Sequence, residues 1–390
     1  MAKPVLIVGA GPAGLALAIG LARVDVPVTL IERMLEEELA DPAFDGREIA
    51  LTHSSIAALK RLGAWQNIPS GRIYPLASAR VLNGKSPLAL TLGPPRFKAQ
   101  PLGMLVSNCD IRRALFETAR KLPAIELLAG RATRSTTTGK SEARIELDDG
   151  DTCAGSLLVA ADSRFSELRA QLGIAASMNR LGKSMLVGRV AIERHHGSIA
   201  TEWFDNGQTL ALLPLGSHEA SVVVTLRDSE AQRLAAMDDC NLAEELTRRF
   251  ARRFGEMRPL TRLHLYPLTT SYARHFVAPR AVLVGDAAVG MHPVTAHGFN
   301  LGLAGTERLT RLVTSGFGSS GDPGNFRVLR RFEAGHRLAT WPLYAATNAI
   351  VGLYTDDRPT GRLARNAGLL ASGFPPVRSA VTRILMRSRA

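Results

Sequence analysis

The sequence predicts an α/β protein in which a parallel, Rossmann-like sheet is interrupted by an inserted antiparallel sheet and followed by C-terminal helices. Three observations lead to this fold class. The N-terminal stretch PVLIVGAGPAGLALAIGLARVDVPVTLIER has a strand–turn–helix–strand pattern, and residues 184–226 hold short strands between polar turns. The stretch AVLVGDAAVGMHPVTAHGFNLGL, which begins at residue 281, then returns to the buried-strand texture of the N-terminus.

The N-terminal unit predicts two parallel strands at residues 5–8 and 28–31, joined by a helix at residues 15–24. The uncharged run of residues 5–22 also imitates a targeting or membrane-spanning segment, although four residues of a nucleotide-binding turn interrupt it. Further helices are predicted at residues 54–62, 110–121 and 242–254. Residues 316–324 are rich in glycine and serine, and we expect a flexible loop there.

These elements predict a nucleotide-binding domain that the chain builds in three parts. The predicted parts of this domain are residues 1–75, 101–180 and 271–340, the inserted substrate domain takes residues 76–100 and 181–270, and residues 341–390 form C-terminal helices. Because small-molecule sites usually form in the cleft between two domains, we expect the functional site between the parallel and the antiparallel sheet.

The turn GAGPAG carries the first chemical signal. Gly9 allows a sharp turn, Gly11 lets the backbone approach a pyrophosphate, and Gly14 lets the helix pack on the strand. Glu32 ends the second strand, where an acid accepts a hydrogen bond from a ribose hydroxyl. The pattern GFGSSG at residues 316–321 has the same spacing, but it follows a helix and opens the predicted loop. Only the first pattern therefore predicts dinucleotide binding.

NAD and FAD both satisfy this motif, and the late unit around Gly285–Asp286 separates them. A late strand that returns to the same sheet brings Asp286 near the middle of an extended dinucleotide, where FAD has a ribityl chain and NAD has none. A helix that begins near Gly298 points its amides at the flavin ring. The sequence thus predicts FAD, and a helix cap is the alternative role for Asp286.

These motifs resemble those of the aromatic-ring flavoprotein monooxygenases of the para-hydroxybenzoate hydroxylase fold, and among them the ubiquinone-biosynthesis hydroxylases. The resemblance rests on Arg47 in REIALTHSS, Asn108 in SNCDIRRAL, Asp162 in AADSRFSELR and the stretch GDAAVGMHPVTAHGFNLGL. Together with the first motif, it gives these cofactor-binding residues: Gly9, Gly11, Ala13, Gly14, Glu32, Arg33, Arg47, Asn108, Asp162, Gly285, Asp286, Pro293, Gly298, Phe299 and Asn300.

The resemblance implies an FAD-dependent monooxygenase that takes electrons from transiently bound NADPH or NADH. It implies that O2 forms a flavin C4a-hydroperoxide, which hydroxylates an aromatic ring, here a prenylated ubiquinone precursor. A flavin-dependent reductase of isoprenoid double bonds and a hydroxylase of another small aromatic ring stay open as alternatives. Two residues depart from the family pattern: Ser163 replaces a glycine, and His297 replaces a common glutamine.

The sequence predicts no catalytic side chain and no metal site. His195, His196 and His218 lack the spacing of a metal-binding pair. We expect the substrate side of the flavin to be formed by the backbone around Pro293 and by Leu212 and Pro214 of the inserted sheet, with Leu213 and Leu215 beside them in the same apolar roof. Ordinary sheet core is the alternative role for the stretch LALLPL that contains the last two residues.

The charge and the cysteine content of the chain indicate where the protein is located and what it binds. The net charge is +13, and residues 377–389 can form a basic amphipathic helix that is either docked on the protein or bound to a membrane surface. A nucleic-acid-binding protein with a nucleotide-sensing domain is a rival class, but no stripe of basic and aromatic residues favours nucleic acid. Three widely spaced cysteines indicate a reducing compartment. We therefore expect a cytoplasmic protein that binds peripherally to the inner membrane face, alone or in a biosynthetic complex.

Overall fold

The computed structural model describes residues 3–84, 86, 89–93, 100–205, 207–293, 297–320 and 322–355. Its α-helices are α1 (Pro12–Ala22), α2 (Glu36–Ala40), α3 (His53–Arg61), α4 (Asn108–Ala119), α5 (Glu167–Gln171), α6 (Asp228–Ala235), α7 (Asp239–Arg249), α8 (Gly298–Ser320) and α9 (Phe326–Thr355). Its strands are β1 (Val5–Val8), β2 (Val28–Glu32), β3 (Glu48–Leu51), β4 (Ile73–Leu76), β5 (Ser78–Asn83), β6 (Ala89–Leu92), β7 (Gly103–Ser107), β8 (Ile125–Ala129), β9 (Thr133–Thr138), β10 (Ala143–Leu147), β11 (Thr152–Gly155), β12 (Leu157–Ala160), β13 (Ala176–Ile192), β14 (Ile199–Asp205), β15 (Gln208–Pro214), β16 (Glu219–Arg227), β17 (Met257–Pro259), β18 (His264–Ala273), β19 (Val277–Ala278), β20 (Ala281–Leu283) and β21 (Val289–Gly290).

Two large sheets organise the described part of the chain. The first has the order β19-β20-β12-β1-β2-β8, and all of its pairs are parallel except that of the edge strand β19. The second has nine strands in the order β21-β18-β13-β16-β15-β14-β5-β6, with β17 beside β13, and it is antiparallel except for the pair of β14 and β5. Strands β9–β11 and strands β3, β7 and β4 form two small sheets. The predicted α/β fold class with an inserted antiparallel sheet is confirmed.

The N-terminal run forms the core of the parallel sheet. Residues 5–22 fold as β1, a tight turn and α1, and most of their side chains are buried. Helix α1 begins earlier than the sequence predicted because Pro12 occupies its first turn, where a missing N–H costs no hydrogen bond. Among the described residues, no helix is long and apolar enough to cross a membrane.

The nine-stranded sheet has two differently covered faces. On one face, Leu210 and Leu212 pack with Leu234 of α6 and Leu246 of α7 in a fully buried cluster. On the opposite face, Val187 belongs to a smaller cluster that points toward the parallel-sheet unit. The contact is direct, since Tyr266 Oη donates a hydrogen bond to the carbonyl oxygen of Asp45 at 2.8 Å. Any cleft between the two units therefore lies on this second face.

Two predicted boundaries are wrong. The loop expected from residue 316 is helical as far as Ser320, because α8 continues past its glycines. Each glycine costs only about 1 kcal/mol relative to alanine in a helix, and the packing of α8 on α1 offsets it. Helix α7 ends at Arg249 rather than residue 254, since Ala251 and Arg252 adopt left-handed φ angles of 50° and 53°.

The exact domain boundaries stay a prediction. Strands β13 and β18 run across residues 180 and 270, and the boundary predicted at residue 341 falls inside α9. The basic segment of residues 377–389 lies outside the described residues.

Candidate functional site

The glycine turn after β1 has the geometry of a phosphate-binding turn. Gly9 has a φ of +106°, and a Cβ on it would lie 2.5 Å from the carbonyl oxygen of Ala161. A Cβ on Gly14 would lie 1.8 Å from the carbonyl oxygen of Gly9. Gly11, at the N-cap of α1, has no atom of the described residues within 4 Å of such a Cβ. The helix N-terminus is thus open at the position where a pyrophosphate could approach it.

Glu32 holds this turn from the end of β2. Its Oε2 accepts a hydrogen bond from the backbone N–H of Ala10 at 2.6 Å, and its Oε1 accepts one from Met34 at 3.0 Å. The next residue, Arg33, is exposed. The carboxylate is therefore fixed at the edge of the turn, and its contact with a ribose hydroxyl stays a prediction.

The late motif comes into contact with the first one. Gly285 follows β20, which reaches β1 through β12 in the parallel sheet. Its φ is +58°, and a Cβ on it would lie 2.9 Å from Cβ of Ala13. Asp286 follows in a short 3-10 helix at Gly285–Ala287, which precedes α8. The structure therefore brings together the two turns that the sequence assigned to the two halves of FAD.

Two arginines in the AADSRFSELR stretch bind the late motif. Arg164 Nη2 donates to Oδ2 of Asp286 at 2.8 Å, and its Nη1 donates to the carbonyl of Thr269 at the same distance. Arg169 is buried, and its Nη1 donates to the carbonyl of Ala287 at 2.8 Å. Burial lowers the pKa of this guanidinium, while the charge of Asp162 acts in the opposite sense. The sequence named neither arginine as a site residue, because their acceptors lie more than 100 residues away.

Asp162 carries an unused acceptor beside the glycine turn. Its Oδ2 accepts a long hydrogen bond of 3.4 Å from the backbone N–H of Leu168. Its Oδ1 is buried and has no partner in the part of the chain that the structure describes. The Cα of Asp162 would lie 2.8 Å from a Cβ on Gly9. An orphaned acceptor at this position fits a donor supplied by a bound cofactor.

The neighbouring departure from the family pattern is tolerated. Ser163 is not among the described residues with a positive φ, so this turn does not require glycine. His297, the second departure, is buried directly before α8.

Arg47 and Asn108 meet at an aspartate that the sequence reading missed. Arg47 Nε donates to Oδ2 of Asp45 at 3.0 Å, and Asn108 Nδ2 donates to the same oxygen at 2.8 Å. Burial alone would raise the pKa of Asp45, but the charge and hydrogen bonds of Arg47 and the bond from Asn108 hold it below its usual range. The spacing of Asp45 and Arg47 in DGRE was the available signal.

Asn300 connects the start of α8 to β3. Its Oδ1 accepts from the backbone N–H of Thr52 at 3.1 Å, and its Nδ2 donates to the carbonyl of Ala50 at 2.9 Å. Gly298 begins α8, Phe299 packs partly against the core, and Pro293 is exposed. The strand after Arg47 is thereby held beside the N-terminus of α8.

The predicted substrate residues lie on the far face of the antiparallel sheet. Leu212 is in the cluster under α6 and α7. Pro214 is two residues further along β15 and pairs with Ala220 of the same cluster, so it shares this face. Leu213 alternates to the face of Val187, toward the parallel-sheet unit. Because all of LALLPL is apolar, its pattern did not reveal which residues face the cleft.

Two acids on the cleft side, the buried Glu48 and the half-buried Glu202, were also missed. Glu48 Oε1 accepts from Arg189 Nε at 2.9 Å and Nη2 at 2.7 Å, while its Oε2 has no partner among the described residues. Burial raises the pKa of Glu48 to about 7 despite the charge of Arg189. Burial also raises the pKa of Glu202 to about 8. Strand pairing places Glu202 opposite Ala211, on the same face as Leu213.

The fold and this site define a class of flavoprotein. Residues 2–315 match the family described as FAD binding domain, and the chain belongs to that family. The open helix N-terminus and the unused oxygen of Asp162 fit its cofactor. The protein is an FAD-dependent monooxygenase, a class that generally takes its electrons from NAD(P)H.

Comparison with individual proteins shows which of the FAD-dependent monooxygenases this chain is related to. The chain is 39% identical over 386 residues to ubiquinone hydroxylase UbiM of Neisseria meningitidis serogroup C. The aligned residues make up 98% of this chain and 84% of the relative. It is 34% identical over 366 residues to ubiquinone hydroxylase UbiL of Rhodospirillum rubrum, with coverages of 94% and 85%. It therefore belongs to the family of the ubiquinone hydroxylases.

A solved structure supports the fold independently. The crystal structure of p-nitrophenol 4-monooxygenase PnpA from Pseudomonas putida superimposes with a TM-score of 0.80 at 20% identity, over 100% of this chain and 99% of that one. At this identity the similarity concerns the fold alone. It is the fold of the flavin monooxygenases that the sequence motifs resemble.

Proposed function

We propose that this protein hydroxylates the aromatic ring of a prenylated ubiquinone precursor, using FAD, NADPH or NADH, and O2. The observation that carries the substrate class is the 39% identity, over 98% of the chain, to a protein named as a ubiquinone hydroxylase. The contact between the turns at Gly9 and Gly285 supports the cofactor, because it offers one continuous edge to an extended dinucleotide.

Each predicted cofactor residue has a position that fits a task. Gly11 and the N-terminus of α1 would receive the pyrophosphate, and Glu32 the ribose of the adenosine half. Asp286 would accept from the ribityl chain, and Arg47 and the start of α8 would lie at the flavin. When bound, FAD supplies the activated oxygen that is transferred to the ring.

The remaining task of the protein is to hold the ring and exclude water. The face of the nine-stranded sheet that carries Val187 and Leu213 supplies apolar side chains toward the parallel-sheet unit, beside the polar side chains of Glu202 and Arg189. We therefore narrow the proposed substrate contact in the inserted sheet from Leu212, Pro214 and their neighbours to Leu213. The exposed Pro293, immediately before the residues that lead to α8, stays a candidate for the flavin side of the same cleft.

The cellular location belongs to the same proposal. A prenylated substrate partitions into lipid, so we propose a cytoplasmic enzyme that binds peripherally to the inner face of the membrane. The net charge of +13 supports attraction to anionic lipid.

Expression in a bacterium that lacks its own ring hydroxylases tests the function. We expect ubiquinone to be restored, with one added oxygen atom on the ring by mass spectrometry of the lipid extract. A Leu213→Arg substitution puts a charge at the proposed substrate contact and should abolish the product while FAD stays bound. The matched control is Leu260→Arg, at an exposed leucine of the same domain, which should behave as wild type.

Two results would speak against the proposal. Unaltered lipid together with no oxygen uptake on any prenylphenol would remove this substrate class. A saturated prenyl chain formed without oxygen uptake would instead favour a reductase of isoprenoid double bonds.

A further inference from the structure

Helix α9 has a long stripe of solvent-exposed residues. In the second half of the helix, this stripe consists of apolar residues. Leu338 is 79% exposed and Trp341 is 54% exposed. The exposed positions of the stripe recur every three or four residues, as expected for one helix face, and are Arg327, Arg330, Arg331, Ala334, Leu338, Trp341, Pro342, Ala345, Ala346 and Ala349. An exposed leucine and tryptophan one turn apart indicate a contact surface.

A cationic cavity adjoins the first half of this stripe. It has a volume of about 300 Å³ and is lined by Arg274, His275, Arg330, Glu333, Ala334 and Arg337. Glu333 is the one acid in α9, and it is buried, with its Oε1 accepting from the backbone N–H of Phe276 at 2.8 Å. Arg330 and Arg337 lie 3.0 Å and 3.7 Å from the Glu333 carboxylate, and Arg274 also lines the cavity, so three arginines accompany one acid and leave the cavity positively charged.

One guanidinium of the cavity is held in place before any ligand arrives. Arg337 Nη1 donates to the carbonyl of Arg274 at 2.7 Å, and its Cζ lies 5.4 Å from the ring centroid of Tyr272 and 5.1 Å from that of Phe276. A preoriented guanidinium binds a phosphate with less loss of side-chain entropy than a mobile one. The cavity is therefore suited to an anionic headgroup.

The cavity and the apolar stripe follow each other directly along α9, since Arg337 precedes Leu338. An anionic phospholipid has a matching arrangement, because its phosphate could contact the arginines of the cavity while its acyl chains contact the apolar stripe. Tryptophan is enriched in proteins at the boundary between headgroups and acyl chains. We propose that this face, from Arg330 to Ala349, is a docking surface for an anionic phospholipid membrane. The cavity takes a lipid phosphate, and Leu338 and Trp341 enter the headgroup–acyl boundary.

The charge of the surface favours lipid over other occupants. Every charged side chain on the exposed stripe is an arginine, and the whole chain has a net charge of +13. The proposal rests on the membrane location proposed above and names the surface responsible, whereas the proposed reaction is independent, because membrane binding is measured without turnover. Wild-type binding by the surface variants would overturn this surface alone, and absence of vesicle binding by the wild-type protein would overturn the peripheral location as well, while neither result bears on the reaction.

Vesicle sedimentation of the full-length, FAD-loaded protein tests the surface. We expect binding to vesicles of phosphatidylglycerol and phosphatidylcholine, and much weaker binding to phosphatidylcholine alone. The double variant Leu338→Ser/Trp341→Ser should bind at least about tenfold more weakly. Leu260→Ser, at a leucine that is 50% exposed elsewhere, is the matched control and should bind as wild type.

Substitution of the cavity gives a second arm. Arg330→Gln should reduce the preference for anionic vesicles, whereas Arg258→Gln, at an exposed arginine of the antiparallel sheet domain, should not. Inorganic phosphate at the same phosphate concentration should not prevent the protein from binding the vesicles, because it provides no hydrocarbon for Leu338 and Trp341 to enter. If free phosphate alone saturates the cavity and prevents vesicle binding, the site is a phosphate site and the proposal is wrong.

Fluorescence keeps the proposal testable if the double variant misfolds. Lipids brominated on the acyl chain should quench the wild-type protein, and Trp341→Phe should lose this quenching while Trp65 and Trp203 remain. Wild-type binding by the double variant, or equal binding to neutral vesicles, would overturn the proposal. So would a change in oligomeric state in that variant without lipid, which would make the face an interface between copies.

Discussion

Arg164 and Asp286 lie 122 residues apart in the chain, yet Arg164 Nη2 donates to Oδ2 of Asp286 at 2.8 Å. This bond joins the AADSRFSELR stretch to the late Gly-Asp turn, and Gly285 beside it packs against Ala13 of the first turn. Three segments that are remote in sequence thus form one edge of the parallel sheet. The account of FAD binding depends on this edge, and the first two predictions test it.

Replacement of Asp286 by alanine should weaken FAD binding. The carboxylate is the proposed acceptor for the ribityl hydroxyls, and the loss of a charged hydrogen bond costs about 1.5–3 kcal/mol, which corresponds to roughly ten- to a hundredfold in affinity. The flavin content of the purified protein and a titration with FAD measure the effect. Glu307→Ala removes another ion-paired carboxylate, on α8, and should leave full flavin loading. Equal loading of both variants would contradict the role of Asp286.

Replacement of Gly285 by alanine should destabilise the protein and lower its flavin content. A left-handed φ of +58° costs a non-glycine residue about 1–2 kcal/mol, and the new Cβ would meet Ala13 at 2.9 Å. Urea denaturation measures the loss. Adding Ala13→Gly should recover the part that comes from the contact, less the cost of up to about 1 kcal/mol that the single variant Ala13→Gly measures in α1, and should not recover the part that comes from φ.

The control for this position is Gly71→Ala. Gly71 has no positive φ, and no atom of the described residues lies within 4 Å of a Cβ placed there. Its stability should stay within about 0.5 kcal/mol of wild type. If Gly285→Ala is equally mild, the close approach of the two turns does not constrain the protein.

Glu48 should make the stability of the protein depend on pH. Burial raises the pKa of its carboxyl from 4.5 to about 7, so the folded state binds the proton more tightly than the unfolded state. The associated stability is present below pH 4.5 and is lost as the pH rises through about 7. By linkage the loss is on the order of 3 kcal/mol.

Glu48→Gln should remove this dependence, because glutamine keeps the acceptor for Arg189 but does not titrate. Urea midpoints of wild type and variant between pH 5 and pH 8 give the comparison. Glu202→Gln, at the half-buried acid on the same side, should instead remove a dependence that extends to a pKa of about 8. Parallel stability profiles for wild type and Glu48→Gln would mean that Glu48 is ionised throughout.

The sequence was informative where the signal was local. The turn at Gly9 and the turn at Gly285 each follow a short apolar strand, so composition and spacing identified them, and the antiparallel sheet was visible in its short strands. Whether those turns and the other named residues contact FAD is still a prediction. The structure adds that the two turns, at Gly9 and at Gly285, lie together at one edge of the parallel sheet.

Pairings over long distances were not predictable. Asp45 with Asn108, Glu48 with Arg189 and Arg164 with Asp286 depend on how separate elements pack, and no local pattern records the partner. Which of Leu212, Leu213, Pro214 and Leu215 face the cleft was not predictable for a different reason. When a strand has apolar residues on both faces, the sequence shows no alternation of apolar and polar residues that would assign each side chain to a face. Only the positions of α6 and α7 then decide which face of the sheet becomes the buried core.

Transfer of isotope-labelled O2 to a prenylphenol by the purified, FAD-loaded protein tests the proposed ring hydroxylation. With NADPH or NADH as donor, we expect a product that carries one labelled oxygen atom on the ring, and oxygen uptake that depends on the phenol. Leu213→Arg should lose the product and keep the flavin spectrum. A protein that binds no FAD, or one that consumes NAD(P)H and leaves every prenylphenol without label, would show that the protein is not a hydroxylase of prenylated rings.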